Sequence, residues 1–362
     1  MNVLPSAPRI LIVRVGAMGD VLHGMPAVAA LRAALPGALI DWAIEPRWAP
    51  LLCSAESGTS QADLPLVHAV HLVAAKAWSK RPFAPETLRS IRALRHALRA
   101  CHYDIAIDLQ GTLRSAVIAR MSGAPRVVGS TQPREWPARL FYTQRVLLHA
   151  PHVVDQAAEL ISAAMRTPLQ AMPAPLPVDA VAEHWCDTVC GDDTRRIVFL
   201  APTAGWGAKE WPADRYGQVA SELHALGCRV LVNASPHGPD AIAERVCAAS
   251  GDTAERVACT LPQLTALLRL VHLVVAGDTG PLHLAAALGV PVVALFGPTD
   301  PDRNGPYGTR SIVLRHASSR TDHHRSPHTE AGLQAITTDE VFAAARRMLE
   351  ADISAADPPR AY

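Results

Sequence analysis

The stretch RILIVRVGAMGDVLHGMPAVAALRAAL, residues 9–35, decides how the chain is read. Arg9–Val15 is a short apolar run of the length and branched content of a buried strand. Gly16 ends it, and Val21–Leu35 carries an amphipathic helical pattern stopped by Pro36 and Gly37. A strand, a glycine turn and a helix are the opening of a βαβ unit. The turn, Gly16-Ala17-Met18-Gly19-Asp20, spaces its residues as G-x-x-G-D and so is not the G-x-G-x-x-G dinucleotide fingerprint. Its backbone N–H groups are free to approach an anion, with the helix dipole assisting. Asp20 has two readings. It is either an N-cap, or a carboxylate that is ionised at neutral pH and accepts a proton from a hydroxyl nucleophile.

The alternation continues outward from there. Leu39–Glu45 and Tyr103–Leu109 read as strands, and Pro85–Ala100, Arg114–Met121 and Val153–Met165 as helices. The first of these helices puts Leu88, Ile91, Leu94 and Leu98 on one face, with Arg89, Arg92, Arg95 and Arg99 around the rest. Pro168, Pro173, Pro175 and Pro177 then resist both helix and sheet and mark a linker. Beyond it the pattern restarts. Strands are expected at Arg196–Leu200, Arg229–Asn233, Leu273–Ala276, Val292–Phe296 and Ser311–Leu314. Helices are expected at Ala213–Leu226, Ala241–Ala249, Pro262–Leu270, Leu282–Leu288 and Thr338–Leu349. The expectation is an α/β chain with parallel sheets. Its parts are a first domain over residues 1–167, a Pro-rich linker over 168–195, a second domain over 196–335, and a closing helix and tail over 336–362. Two such domains imply a cleft, with ligands at the carboxyl ends of the strands.

Four more motifs fall at those ends. Asp278-Thr279-Gly280-Pro281-Leu282-His283 follows a strand and opens a helix, a seat for a diphosphate. His283 faces either ligand or core. Pro202-Thr203-Ala204-Gly205-Trp206-Gly207-Ala208-Lys209 follows the strand that opens the second half. Of 34 basic residues only Lys76, Lys80 and Lys209 are lysines, and a compact ammonium suits phosphate as a point charge. Gly297-Pro298-Thr299-Asp300-Pro301 is by itself a turn, placed to line a nucleoside pocket. Asp108-Leu109-Gln110-Gly111-Thr112-Leu113-Arg114-Ser115 is a strand–turn–helix in the first half. Lys80, Arg81, Arg114, Arg126, Arg134 and Arg139 lie near it in sequence; they are a solvated basic face or a rim for an anionic acceptor.

Composition removes other classes. At 49% hydrophobic and 19% charged the chain is globular. No run approaches the ~18–20 apolar residues that span a bilayer, and the first apolar run lacks a signal peptide's layout. Seven scattered cysteines imply a reducing compartment rather than a disulfide framework. Cys186 and Cys190 have no second pair to make a zinc site, and His323, His324 and His328 read as a polar loop. A net charge of +1 argues against a general nucleic-acid binder. That sum hides a split, since residues 1–165 carry +6 and residues 166–362 carry −5.

Five segments together resemble the ADP-heptose:lipopolysaccharide heptosyltransferases of glycosyltransferase family 9. They are RILIVRVGAMGDVLHGMPA, YDIAIDLQGTLRSA, APTAGWGAKEWP, VVAGDTGPLHLAAALGVPVVALFGPTDP and the closing ITTDEVFAAARRML. EPRWAPLL and HVVDQAAEL lean toward the type I enzyme, APTAGWGAKEW toward type II. The resemblance implies a GT-B fold of two Rossmann-like domains and an inverting transfer with no metal and no cofactor. Asp20 would be the general base. The nucleotide sugar would meet Thr203, Ala204, Lys209, Asp278, Thr279, Gly280, His283 and Gly297, with Lys209 neutralising the leaving ADP. The acceptor, an anionic Kdo-lipid A, would meet Gly19, Lys80, Gln110, Arg114 and Arg126. A cytoplasmic enzyme, peripheral at the inner face of the inner membrane, would follow. Where relatives carry a cysteine-containing segment, this chain has SSRTDHHRSPHTEAG, so contacts there are not carried over. The alternatives are another sugar-nucleotide enzyme of the same fold, a nicotinamide-dependent oxidoreductase using Glu45 on a ribose, and a non-catalytic lipid A-surface binding protein.

Overall fold

The computed structural model describes residues 5, 7–54, 64–236, 238–322 and 326–354, so His323 and His324 lie outside it. The chain divides into two compact units, Met1–Asp179 and Ala180–Tyr362. In the first unit, β1 (Arg9–Val13), β2 (Leu39–Ile44), β3 (Ala69–Leu72), β4 (Ile105–Asp108), β5 (Arg126–Ser130) and β6 (Gln144–Val146) form one parallel sheet, ordered β3-β2-β1-β4-β5-β6. In the second, β7 (Ile197–Ala201), β8 (Arg229–Ala234), β9 (Glu255–Ala258), β10 (Leu273–Gly277), β11 (Val292–Phe296) and β12 (Ser311–Arg315) are ordered β12-β11-β10-β7-β8-β9. Each sheet, counted from its own first strand, has the doubly wound Rossmann order. The winding reverses between β1 and β4 in one unit and between β7 and β10 in the other. Loops leaving these neighbours diverge, which opens a crevice at their carboxyl ends.

Helices on both sides explain why the central strands are apolar throughout. Leu11, Val13, Ala43 and Ala106 pack with Leu94 and Leu98 of the helix Pro85–Ala100. Leu88, expected on the same face, is exposed. In the second unit Val198, Leu200, Val230 and Val232 pack with Trp211, Tyr216 and Leu223. The buried Trp211 indole donates to the Ile336 carbonyl at 3.0 Å and meets the Tyr216 ring edge-on at 5.0 Å.

The helices expected at Pro85–Ala100, Val153–Met165 and Ala241–Ala249 and the strand Val292–Phe296 form at those bounds. Four strands, β3, β5, β6 and β9, are not anticipated by the periodicity. They have three to five residues and carry polar side chains, so neither period develops. The stretch expected as linker over 168–195 holds a helix, Ala180–Cys190, whose Ala182 and Cys186 are buried. No helix among the described residues is long and apolar enough to cross a membrane.

Candidate functional site

In the first unit the helix after β1 starts at Met18, three residues earlier than its apolar pattern suggests. Ala17 is therefore the N-cap, and Asp20 is the third helical residue rather than a cap. Its Oδ2 accepts the Ala17 N–H at 3.1 Å. The same carboxylate is gripped by two guanidiniums. Arg14 reaches Oδ1 at 3.0 Å, and Arg134 makes a two-pronged contact at 2.5 and 2.8 Å. Burial alone pushes the carboxyl up, but Arg14 and Arg134 outweigh it and hold it well below the ordinary carboxylate range. Arg14 is buried, with one amino group on the Leu109 carbonyl, whereas the Arg134 side chain is 44% exposed.

The loop leaving β4 braces this arrangement. Gln110 Oε1 accepts the Val15 and Gly16 N–H groups at 2.7 and 3.4 Å. Asp108 is buried under the loop and accepts from Gln110 and Gly111 N–H and from the Ser115 and Tyr142 hydroxyls. Burial pushes its carboxyl up, and those donors work against that. Gly111 has φ +70°, and a Cβ there would lie 3.1 Å from Arg134 N and 3.2 Å from Pro133. The missing side chain lets the 133–134 segment come close enough to set Arg134 on Asp20. Val15, Gln110, Thr112, Leu113, Arg114 and Glu135 line a shallow concavity beside this group.

Gln110 and Arg114 thus line one concavity with Val15, and Gly19 and Asp20 lie in the first turn of the helix that follows Val15. Lys80 ends the short helix Ala75–Lys80 that follows β3 and is exposed. Arg126 is different. It opens β5, at the amino-terminal edge of the sheet, and its guanidinium is bound to Gln144 Oε1 at 3.0 Å and the Ala164 carbonyl at 2.7 Å. It pins β6 and the helix Val153–Met165 and is not part of the acceptor group. Arg14 is the contributor that motif reading overlooks. A lone charge inside the apolar run RILIVRV was its signal.

In the second unit the loops after β7 and β10 meet across the other reversal. The Lys209 ammonium donates to Asp278 Oδ2 and lies 4.4 Å from the centre of the Trp206 ring. Asp278 Oδ1 is 2.9 Å from His283 Nε2, and both side chains are nearly enclosed. Burial raises the Asp278 carboxyl, but His283 and Lys209 more than reverse this and hold it well below its usual range. Ala204 N–H donates to Glu210 Oε1 at 3.1 Å, which folds the Thr203–Lys209 loop back on itself. Thr279 is the N-cap of the helix Gly280–Ala287, with Pro281 in its first turn. The Thr279 hydroxyl is buried and has no partner among the described residues, and the same holds for that of Thr299 after β11. Buried hydroxyls are costly to leave unpaired, so both mark places for a polar ligand. Gly297 serves packing. A Cβ there would sit 2.7 Å from the Leu333 side chain.

A doubly wound pair of units, each with polar groups at its reversal point, is the architecture of the GT-B fold. Residues 91–332 match glycosyltransferase family 9 (heptosyltransferase), and the chain belongs to that family. It is 31% identical over 315 residues to lipopolysaccharide heptosyltransferase 1 of Pseudomonas aeruginosa, covering 84% of this chain and 83% of the relative. The Escherichia coli K12 enzyme of the same name is 30% identical over 315 residues, covering 85% and 93%. The solved structure of E. coli heptosyltransferase WaaC with ADP superposes with a TM-score of 0.75 at 26% identity, covering 95% of this chain and 99% of that one. Membership of this family sets aside the oxidoreductase and the non-catalytic readings.

Proposed function

We propose that the chain moves heptose from ADP-heptose to the Kdo of the lipopolysaccharide inner core, as a type 1 heptosyltransferase, with inversion and with no metal ion in the chemical step. The observation that carries this reading is the matched construction of the two crevices. One holds a carboxylate among cations; the other holds the Lys209 ammonium and the His283 ring around Asp278 beside an open helix N-terminus. Similarity to type 1 enzymes at 30–31% identity supports the heptosyl assignment.

The chemistry follows from charge. Asp20 takes the proton of the acceptor hydroxyl as its oxygen bonds to the anomeric carbon. The bond from that carbon to the diphosphate breaks, and ADP leaves on the opposite face, which inverts the centre. Negative charge grows on the departing phosphate, and Lys209, the Thr279 hydroxyl and the N–H groups of the following turn receive it. Asp278 is a poor partner for phosphate. It acts instead by holding Lys209 and His283 in place. Asp20 clamped by two guanidiniums is a weak base. An anionic acceptor competes for the more exposed Arg134, and its departure raises the basicity of Asp20 as the substrate arrives. Exposed Lys80, Arg81 and Arg114, with Phe83 89% exposed and Trp136 62% exposed, suit an enzyme working at an anionic membrane surface from the cytoplasm.

Release of ADP from ADP-heptose, measured with Kdo-lipid A as acceptor, tests the reading. Turnover is expected to need both substrates. Asp20→Asn is expected to lower it by on the order of 10²–10⁴-fold while ADP-heptose still binds. Release only with an acceptor that already bears heptose would move the assignment to type 2, and no release with either would end it.

A further inference from the structure

The segment SSRTDHHRSPHTEAG, residues 318–332, stands where relatives carry a cysteine-containing segment, and the chemistry above leaves it without a task. Residues 326–330 of it lie against the turn that carries Lys209. That turn, Gly207–Lys209, is a three-residue 3-10 turn, too short to hold itself in place. Ala208 within it is buried, so both its backbone groups need partners. The segment supplies both. Ala208 N–H donates to the Ser326 carbonyl at 3.0 Å, and Glu330 N–H donates to the Ala208 carbonyl at 3.2 Å. Beside them the Thr329 hydroxyl donates to the Glu210 carbonyl at 2.8 Å. Two glycines make the fit possible. A Cβ on Gly207 would collide with the Pro327 carbonyl, and one on Gly277 of β10 would lie 2.9 Å from the Lys209 carbonyl. The turn is therefore pressed between residues 326–330 and the end of β10, which leads into Asp278. The segment is also anchored beyond β10. Glu330 Oε2 accepts the Leu333 N–H at 2.7 Å and the Ser319 hydroxyl at 3.2 Å, and the buried Leu333 packs on Gly297 after β11. Asp322 N–H donates to the Pro298 carbonyl at 2.9 Å. Because the sheet runs β11-β10-β7, the segment ties together the loops on either side of the Asp278 loop.

We propose that residues 326–330 are a positioning strap for Lys209, with the Thr329 hydroxyl as its side-chain tie to the turn. A lysine ammonium rides on a flexible four-carbon stem, so where it sits depends on how firmly the root of the stem is held. Here the root is the 207–209 turn. Gly277 backs it on one side and the strap holds it on the other, and the ammonium is thereby kept on Asp278 and over the Trp206 ring. The strap acts through Lys209 and not on the reacting atoms. Its consequence for turnover rests on the reading of Lys209 as the charge that meets the departing ADP; the positioning itself does not. Losing the Thr329 hydroxyl removes the tie at Glu210, the residue next to Lys209, and lets the turn move away from β10.

The test uses the full chain and compares Thr329→Val, which deletes the hydroxyl, with Thr329→Ser, which restores it. Two quantities are read. One is the rate at which an amine-acylating reagent modifies Lys209, measured by peptide mass spectrometry against the exposed Lys76. The other is the calorimetric Kd for ADP and for adenosine. Thr329→Val is expected to speed Lys209 modification and to weaken ADP binding, each roughly 3- to 10-fold, the worth of one neutral hydrogen bond. Adenosine binding, which needs no ammonium and shows that the variant is folded, is expected to stay unchanged. Thr329→Ser is expected to return both quantities to the native values. Gly207→Ala, which drives a methyl onto the Pro327 carbonyl, is expected to act in the same direction as Thr329→Val. An unmoved Lys209 modification rate in both Thr329→Val and Gly207→Ala overturns the proposal. So does equal weakening of ADP and adenosine, which would make the segment a support for the whole pocket. Faster modification of Lys209 with ADP affinity unchanged upholds the strap and instead refutes Lys209 as the partner of the phosphate.

Discussion

Asp20 illustrates how neighbours set the behaviour of a single carboxyl. The two guanidiniums lower its proton affinity, so it stays ionised well into acid. Replacing Arg134 with Gln removes one of them and moves its titration up toward the ordinary range. With Asp20 as the proposed base, turnover would need its ionised form, so the acid limb of the pH–rate profile is expected to shift to higher pH in Arg134→Gln. Arg134→Lys, which keeps the charge, is expected to shift it less. An unchanged limb in Arg134→Gln would show that Asp20 is not the group being titrated. Lys209 gives a second check. Losing a charge-assisted contact of this kind costs about 1.5–3 kcal/mol, so Lys209→Ala is expected to weaken ADP binding roughly 10- to 100-fold by calorimetry. Both residues were visible in the sequence, Asp20 by its place after a strand and a glycine turn, Lys209 as a rare lysine among arginines. The partner of each was not. Arg134 is 114 residues from Asp20, and Asp278 is 69 from Lys209. No local pattern reports a contact over that distance.

At the level of elements, the loop after β4 carries more than its turn sequence suggests. Gly111 holds a left-handed backbone and accepts the close approach of Pro133 and Arg134, and its carbonyl takes the Glu135 N–H at 3.0 Å. Gly111→Ala is expected to cost about 1–2 kcal/mol in denaturant unfolding from backbone conformation alone. It should also loosen Arg134 from Asp20 and so shift the acid limb in the same direction as Arg134→Gln. A stability loss with an unmoved pH profile would separate the two roles of this glycine. Long elements with a clear period were readable from sequence, as Pro85–Ala100 and Val153–Met165 show. The short outer strands were not. Gln144–Val146 has three residues and belongs to the sheet because β5 offers it an unpaired edge.

Across the whole molecule the charge division persists when it is drawn at the structural boundary. Met1–Asp179 carries a net +6 and Ala180–Tyr362 a net −5. The basic unit holds Asp20 and the exposed cations near it. The acidic unit holds Lys209 as a local, enclosed charge, packed with His283 around Asp278. Salt screens the first kind of interaction far more than the second. Raising ionic strength is therefore expected to raise the apparent KM for Kdo-lipid A more than the Kd for ADP. Equal sensitivity would count against this assignment of the two units.

The sequence by itself determined the α/β class, the two-unit plan, the helices with strong periodicity and the strand ends that carry the glycine-containing loops. These depend on neighbours in the chain, on local propensity and on apolar spacing. Only the tertiary structure decided which loops face one another at each reversal of the sheet. It put Arg14 and Arg134 on Asp20, and Lys209 and His283 on Asp278. It took Arg126 out of the acceptor group and gave it to the fold, and it brought His71 and Tyr103 onto the buried Asp41. The reason is physical. A strand's place in a sheet, and so the company its side chains keep, is set by pairing and packing across tens of residues that leave no periodic mark in the chain.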